Sequence, residues 1–281
     1  MAVSRRLRPV DIMLLGYLTI TALVAIVRIP THPRAVGVLV ANGLMIALIL
    51  LVTRQDLGRA GRLIREVYPL LLLPALYAAV DLLNGGGAAA TYDRTVQGWE
   101  QYLFGEQVSR EWWQRAPSVF WSTILHGAYF AYYLLVPLPV VYFLWRGDGP
   151  SARRSVLLVM ATFLVCYLVF VFVPVAGPYY EFERPEGLLV HNLPARLVYG
   201  TLAQGSAYGA AFPSSHVAAT VSATIAAFLG APRLGLLMLL PAGLLTVGVV
   251  YTQMHYAVDV LAGLLVAGVI GALAAATSRD A

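Results

Sequence analysis

The chain has 281 residues, of which 59% are hydrophobic and 12% charged, and its mean hydropathy is +0.75. Soluble globular proteins carry about 25% charged and about 45–50% apolar residues, so this composition excludes an ordinary soluble domain and a disordered chain. The formal charge of +5 comes from 19 basic residues, all of them arginine. Because these arginines are scattered between apolar runs, we interpret them as charges that orient membrane helices and expect no nucleic-acid partner.

Eight apolar runs are long enough to cross a bilayer, which takes about 18 or more helical residues. Backbone polar groups cannot stay unpaired in hydrocarbon, so the sequence predicts an all-α polytopic transmembrane bundle. In chain order the runs are 10–28, 35–52, 67–84, 118–145, 155–175, 213–230, 234–251 and 255–276.

These runs predict one membrane domain with two parts. Two N-terminal helices occupy residues 1–66, and a six-helix core occupies residues 67–281. The core includes two long loops, 85–117 and 176–212, which we expect outside the cytoplasm.

Arginine counting predicts the side that each loop faces. With the N-terminus in the cytoplasm, twelve arginines fall in cytoplasmic segments and seven in outer segments. This bias predicts a multi-pass protein of the cell membrane with both termini cytoplasmic. The basic stretch before the first run also fits a signal peptide, but that run is long and lacks a typical cleavage site, which favours a retained helix.

Five ionisable residues lie inside predicted spans, where such residues are costly and commonly functional. All five fall in the outer third of their helices: Asp81, His126, His216, His255 and Asp259. Their common depth predicts one site that opens to the extracytoplasmic face. The alternative for each residue is an isolated hydrogen bond between helices.

The segment around Pro213 predicts a helix start suited to phosphate. Pro213 fits a first helical turn, and Ser214 or Ser215 fits an N-cap. Free N–H groups and the positive end of the helix dipole favour an anion there. His216 follows on the first turn, close enough to give a leaving group its proton. The alternative is a capped helix with a polar interface histidine.

A second pair of polar residues, His255 and Asp259, is spaced four apart and so shares one helical face. The carboxylate can accept a hydrogen bond from the imidazole, fix its tautomer and leave the other ring nitrogen free as a nucleophile or base. Two histidines and a carboxylate also suit Fe(II) or zinc. A metal does not account for the Pro-Ser-Ser helix start, so we expect no metal and no organic cofactor.

The segments FPSSHVA (212–218) and HYAVDVLAG (255–263) resemble the second and third motifs of the PAP2 (type 2 phosphatidic acid phosphatase) superfamily. The resemblance covers roughly residues 67–276. It implies that His255 becomes phosphorylated, that Asp259 supports it, and that His216 protonates the leaving group. It also implies that Ser214 and Ser215 hold phosphate oxygens.

Two cations that are usual in this family are missing from the chain. The usual first motif is Lys, six residues, then Arg-Pro; Arg184 and Pro185 match its end and imply a phosphate-binding arginine, but the lysine position is Gly177. The usual arginine of the third motif falls at Val249. A phosphodiester carries less charge than a terminal phosphate and needs fewer cationic donors, so the depleted site favours diester chemistry.

The same losses are typical of Aur1-like inositol phosphorylceramide synthases and of sphingomyelin synthases, which the chain resembles in this respect. The resemblance implies a transferase that moves a phospho-headgroup between lipids within the bilayer, with no predictable protein partner. A lipid phosphate phosphatase with the same residues is the close alternative. A transporter or a lipid-binding protein of the same fold is a further alternative. The arginine-only, alanine- and valine-rich composition indicates a bacterial source.

Four other polar residues are candidates for headgroup contacts. His126 and Asp81 lie in predicted spans, and Tyr179 and Tyr251 lie near the outer boundary. The alternatives are an interhelix hydrogen bond for His126, a cap for Asp81, and an aromatic belt for the tyrosines.

Overall fold

The computed structural model describes residues 7–54, 58–85, 90–205 and 207–277. In these residues the chain is helical, and the β-type pairing is one isolated bridge between Val175 and Ala210. The predicted all-α bundle is confirmed. The predicted boundary after residue 66 stays a prediction, and both chain termini lie outside the described residues.

Nine α-helices lie in the described residues up to Trp145. They are α1 (Pro9–Arg28), α2 (Val36–Arg54), α3 (Gly58–Leu71), α4 (Leu73–Leu83), α5 (Asp93–Phe104), α6 (Val108–Arg115), α7 (Val119–Phe130), α8 (Tyr132–Leu135) and α9 (Leu138–Trp145).

The part of the second half that the structure describes contains a further six α-helices. They are α10 (Gly149–Phe172), α11 (Pro178–Glu181), α12 (Leu193–Gly205), α13 (Ser215–Gly230), α14 (Pro232–Tyr251) and α15 (Ala257–Thr277).

Six helical segments within the described ranges are long and apolar enough to span a membrane, and a bent pair makes a seventh. The bent pair is Val119–Leu135 with Leu138–Trp145, which meet at 42°. Pro137 and Pro139 lie at this bend, where the missing N–H groups interrupt the helix. The chain is therefore a multi-pass membrane protein.

Of the eight predicted runs, seven meet the length criterion for a span among the described residues, with the bent pair taken as one. The run 213–230 is a helix of 16 residues, because α13 begins only at Ser215. Most of its side chains are buried, and small residues such as Ala219 and Ala223 let its neighbours approach closely. Thr162 of α10 and Ser222 of α13 are joined by a hydrogen bond of 2.7 Å between their hydroxyls. Thus α13 is a central helix around which α10, α14 and α15 pack.

Candidate active site

The two motif segments come together at the starts of α13 and α15. The Ser214 N–H donates to the Asp259 backbone carbonyl at 2.9 Å. A Cβ added at Gly263 would lie 2.6 Å from the Ser214 carbonyl oxygen, so only glycine permits this approach of the two helices. We call the end of the bundle that carries His216, His255 and Asp259 the histidine end.

His255 is held with one ring nitrogen free of hydrogen. Its Nδ1 lies 2.9 Å from the carbonyl oxygen of Ala211 and 3.4 Å from Oδ2 of Asp259. Because a carbonyl oxygen only accepts, Nδ1 carries the proton and donates to Ala211. In the neutral ring, Nε2 then keeps its lone pair. The side chain is buried, which protects this arrangement from water.

Asp259 lies within reach of His255, but the two do not share a helical face as predicted, because His255 lies in the turn before α15 begins at Ala257. The Asp259 carboxyl group also shares the imidazole with a backbone group. Its Oδ2 accepts the Tyr256 N–H at 2.8 Å and is farther from His255 than the Ala211 carbonyl. The carboxylate is fully buried, and its Oδ1 has no hydrogen-bond partner among the described residues. The Ala211 carbonyl therefore sets the tautomer, and Asp259 is an acidic group close to the same ring nitrogen.

His216 faces His255 and is enclosed by two tyrosines. Nδ1 of His216 lies 3.3 Å from Nε2 of His255, and its Nε2 lies 3.1 Å from the Tyr129 hydroxyl. The Tyr129 ring stacks on the imidazole at 4.8 Å between centroids, and the Tyr132 ring lies at 4.5 Å. Neither tyrosine was predicted, because their spacing of three close to His126 is the one signal that the sequence offers for them.

The start of α13 has the features of an anion site. Ser214 is the N-cap, and its Oγ accepts the Val217 N–H at 3.3 Å. The backbone N–H groups of Ser215 and His216 have no hydrogen-bond partner among the described residues. Unpaired N–H groups at a helix start bind phosphate readily.

A buried carboxylate on α5, Asp93, fixes the loop before α11 and the residue after His255. Asp93 accepts the N–H groups of Ala176 and Gly177 at 2.8 Å each and the Tyr256 hydroxyl at 3.0 Å. Gln97, one turn along, donates to the same Tyr256 oxygen at 3.0 Å. This contact between α5 and the third motif was not predicted, because 163 residues separate its partners in sequence.

Glu100, two turns beyond Asp93 on α5, caps the start of α15. Its Oε2 accepts the Val258 N–H at 3.2 Å, and the side chain is fully buried. Burial disfavours the charged form and raises the pKa of Glu100 to about 6. Thus α5 contacts both ends of the segment 256–258, which lies between His255 and Asp259: Asp93 binds Tyr256, and Glu100 binds Val258.

Arg184 and Tyr179 pair with each other. Arg184 is exposed; its Nη1 donates to the Tyr179 hydroxyl at 3.0 Å, and its guanidinium lies 3.8 Å from the centre of the Tyr179 ring. Neither His216 nor His255 forms a hydrogen bond with an arginine within the described ranges. Phosphate binding by Arg184 therefore stays a prediction.

The remaining candidates have local partners. His126 Nδ1 lies 2.8 Å from the Ser122 carbonyl, and its buried Nε2 has no partner among the described residues. Asp81 accepts the Tyr208 N–H at 3.2 Å. The Tyr251 hydroxyl donates to the Ala116 carbonyl at 2.9 Å and lies in the wall of an apolar cavity of about 610 Å³ between α7 and α14. None of the three forms a hydrogen bond with His216 or His255.

Gly177 and Val249, the two positions where the usual cations are missing, lie in closely packed surroundings. Gly177 has φ of +95°, a conformation that side chains disfavour, and an added Cβ would lie 2.9 Å from the Ala211 Cβ. Val249 is fully buried, and its carbonyl accepts the N–H groups of Met254 and His255. A side chain at Gly177 is therefore disfavoured in this backbone, and Val249 has no exposed surface.

Comparison with known proteins supplies the family. A model of the PAP2 superfamily matches residues 98–273, which is more than half of the chain and includes both motif segments. No curated protein and no solved structure is significantly similar to the chain. The chain therefore belongs to the PAP2 superfamily, and this membership supports a phosphatase or phosphotransferase enzyme.

Proposed function

We propose that this protein is a lipid phosphotransferase of the Aur1-like type, which moves a phospho-headgroup from one lipid to another through a phosphohistidine at His255. The observation that carries the proposal is the pairing of His255 Nε2 with His216 Nδ1 at 3.3 Å, beside the unpaired N–H groups that begin α13. A nucleophile, a proton donor and an anion cradle meet there.

The first half of the reaction breaks the phosphate ester of the donor lipid. His255 Nε2 attacks phosphorus as the bond to the lipid alkoxide oxygen breaks, and protonated His216 gives that oxygen a proton. The phosphohistidine keeps the proton on Nδ1, which donates to the Ala211 carbonyl oxygen. The positive charge of the ring lies close to Asp259, whose Oδ2 is 3.4 Å from Nδ1. The Ser215 and His216 N–H groups hold the non-bridging oxygens.

The second half returns the enzyme to its starting state. His216, now neutral, removes the proton from an acceptor hydroxyl, whose oxygen attacks phosphorus as the P–N bond breaks. His255 regains its Nε2 lone pair, and His216 is protonated again. A lipid hydroxyl gives a new phosphodiester, whereas water gives free phosphate or a free headgroup phosphate.

Phosphorus must enter between two rings that now touch. An in-line attack places the reacting atoms about 3–3.5 Å apart before reaction, with the leaving oxygen on the far side of phosphorus. A separation of 3.3 Å between His216 and His255 leaves no room for that group. We therefore expect His216 to move away from His255 when substrate binds, past the Tyr129 and Tyr132 rings.

The shortage of cations supports a diester over a terminal phosphate. Gly177 and Val249 stand where the family usually has a lysine and an arginine, and a side chain at Gly177 would meet the Ala211 Cβ at 2.9 Å. A dianionic phosphate normally takes several cationic donors, whereas a monoanionic diester is satisfied by backbone N–H groups and few charges. The lipid phosphate phosphatase is the alternative outcome of the test below.

The proposed active site faces the extracytoplasmic side. The support is the arginine distribution: Arg8, Arg153, Arg154 and Arg233 all lie at helix ends opposite the histidine end. Basic residues concentrate on the cytoplasmic side of membrane proteins.

The experiment uses purified protein in lipid nanodiscs. Labelled phosphatidylinositol, phosphatidic acid and polyprenyl phosphate are offered with diacylglycerol or ceramide as acceptor. Lipid products are identified by mass spectrometry, and free phosphate is assayed in parallel. His255→Ala is compared with His191→Ala, a change at an exposed histidine outside the site. We expect a new phosphodiester lipid that requires His255.

Two results would overturn parts of this proposal. Free phosphate that depends on His255, without a new lipid, would make the protein a phosphatase. Unchanged turnover in both His216→Ala and His255→Ala would remove the phosphohistidine mechanism altogether.

A further inference from the structure

A second cavity, lined by both charged and apolar residues, lies at the end of the bundle opposite the histidines. Its volume is about 380 Å³. It is lined by the charged residues Arg8, Arg153, Arg154 and Glu66 and by the apolar residues Pro9, Val10, Val156, Leu157, Leu158 and Ala274. We call this the arginine end.

The cavity is remote from the proposed reaction. It lies where α1 and α10 begin and α15 ends, whereas His255 precedes the start of α15. The 24 residues of α10 make it about 36 Å long at 1.5 Å per residue. A ligand in this cavity therefore does not reach His216 or His255.

The charges that line the cavity are unbalanced. Glu66 is the carboxylate of the lining, and it already pairs with two guanidiniums: Arg8 Nη1 at 3.1 Å and Arg153 Nη1 at 3.2 Å. Arg154 has no hydrogen bond or ion pair among the described residues. Three guanidiniums thus face one carboxylate.

Neighbouring acids are committed elsewhere. Asp11, 3.6 Å from Arg8 Nε, accepts the Arg8 backbone N–H at 2.7 Å and is bound by the Tyr68 hydroxyl. Asp148 is the N-cap of α10 and accepts the Ser151 N–H at 3.1 Å. Neither carboxylate lines the cavity, so Arg154 is available to an anion.

The walls of the cavity indicate which anion fits. Guanidinium groups bind phosphate oxygens through pairs of N–H donors. The remaining lining is apolar, which a free inorganic anion does not match but the glycerol and first acyl carbons of a lipid do. Basic pockets between transmembrane helices are recognised binding sites for anionic headgroups.

We propose that this cavity binds the phosphate headgroup of an anionic phospholipid, with Arg154 and Arg153 on the phosphate and the lipid chain along α10 and α15. Glu66 holds Arg8 and Arg153 in place. The bound lipid anchors the ends of α1, α10 and α15 to one another and to the leaflet. This site is independent of the proposed catalysis.

The test measures lipid retention by the full-length protein. Wild type, Arg154→Gln and Arg233→Gln are purified from equimolar phosphatidylglycerol and phosphatidylcholine, and native mass spectrometry counts the lipids that stay bound. Arg233 is the matched control: it is exposed, lies at the same end of the bundle and does not line the cavity. We expect wild type and Arg233→Gln to prefer phosphatidylglycerol, and Arg154→Gln to lose about fivefold of that preference.

Further arms identify the ligand and guard against misfolding. Arg154→Lys keeps the charge and restores part of the preference, while a similar elution volume in size-exclusion chromatography shows that each variant is folded. Millimolar inorganic phosphate should not displace the lipid; displacement would mean that the cavity recognises free phosphate. Equal retention of both lipids by wild type, or an equal loss in Arg233→Gln, would overturn the proposal. A His255→Ala protein should show the wild-type preference, so this result stands apart from the catalytic test.

Discussion

The two ends of the bundle treat polar groups in opposite ways. At the histidine end, His255 and Asp259 are buried, and their partners are largely backbone groups of Ala211 and Tyr256. At the arginine end, the guanidiniums of Arg8 and Arg153 share Glu66 and stay partly exposed. One end positions a few buried groups precisely, and the other collects charge at its surface.

This difference indicates how each end handles phosphate. Guanidiniums bind a phosphate strongly in the ground state, which suits a lipid that is meant to stay. Backbone N–H groups and buried imidazoles bind it less strongly at the outset, and fixed donors act mainly on charge that develops during reaction. The histidine end is therefore arranged for turnover, and the arginine end for retention.

The largest effect should come from removing the histidines. His255→Ala removes the proposed nucleophile and should reduce kcat by at least about 10³-fold. His216→Ala removes the proton donor and should cost about 10²–10⁴-fold. The measurement is product formation in nanodiscs, with His191→Ala as the control that keeps activity. Activity within tenfold of wild type in His255→Ala, a threshold well below the loss expected for a nucleophile, would show that the reaction does not pass through this residue.

Asp259→Asn should have an intermediate effect that tests the role of the backbone. The substitution removes the negative charge 3.4 Å from His255 but leaves the Ala211 carbonyl to hold the Nδ1 proton. We therefore expect a loss of about 10²-fold in kcat, smaller than for His255→Ala and smaller than the roughly 10⁴-fold seen where a carboxylate alone sets the tautomer. A loss as large as that of His255→Ala would mean that Asp259, and not Ala211, orients the ring.

The sequence could predict the helices and the two motif segments because both depend on short-range patterns. Apolar runs mark the membrane helices, and the N-cap Ser214 follows from its place before α13. His255 and Asp259 do come within 3.4 Å of each other, although His255 lies in the turn before α15 and not on the predicted helical face. The sequence also indicates where cations are missing, since Gly177 and Val249 are visible in the motif alignment.

Long-range contacts could not be predicted in the same way. The carbonyl of Ala211 reaches His255 across 44 residues, and Tyr129 reaches His216 across 87. Every residue has a backbone carbonyl, so the sequence does not indicate which one will bind His255. The chain has 16 tyrosines, and nothing in the sequence indicates which of them contacts His216. Asp93 and Glu100 fall in the predicted loop 85–117, where polar residues are expected to be exposed, yet both are buried against the third motif.

Gly263→Ala should disturb the histidine end of the bundle without changing the arginine end. The added methyl would lie 2.6 Å from the Ser214 carbonyl and would push the start of α13 away from α15. A small misplacement of reacting groups can cost about 10²-fold, so we expect a fall in kcat of ten- to hundredfold. Gly268→Ala is the matched control, because it lies on the same helix with nothing within 4 Å. Equal activity in the two variants would show that this close approach does not position the site.

The smallest expected effect concerns the carboxyl group of Glu100, which the histidine end buries. Its pKa is raised from 4.5 to about 6 in the folded protein, so between these values the folded state binds more protons than the unfolded state. The free energy of unfolding should therefore fall as the pH rises through this window, by about 2 kcal/mol for this group. Glu100→Gln keeps an acceptor for the Val258 N–H and removes the charge, so its Tm should not show this fall.

At neutral pH the same substitution should leave the protein as stable as wild type or more stable, because no charge then remains buried against α15. Thermal unfolding in nanodiscs from pH 4.5 to 7.5, a range that brackets the ordinary and shifted carboxyl pKa, measures both effects. Glu186→Gln, at an exposed glutamate, should keep the wild-type profile. Superimposable profiles for wild type and Glu100→Gln would show that burial against α15 does not shift the pKa of Glu100 between the folded and unfolded states.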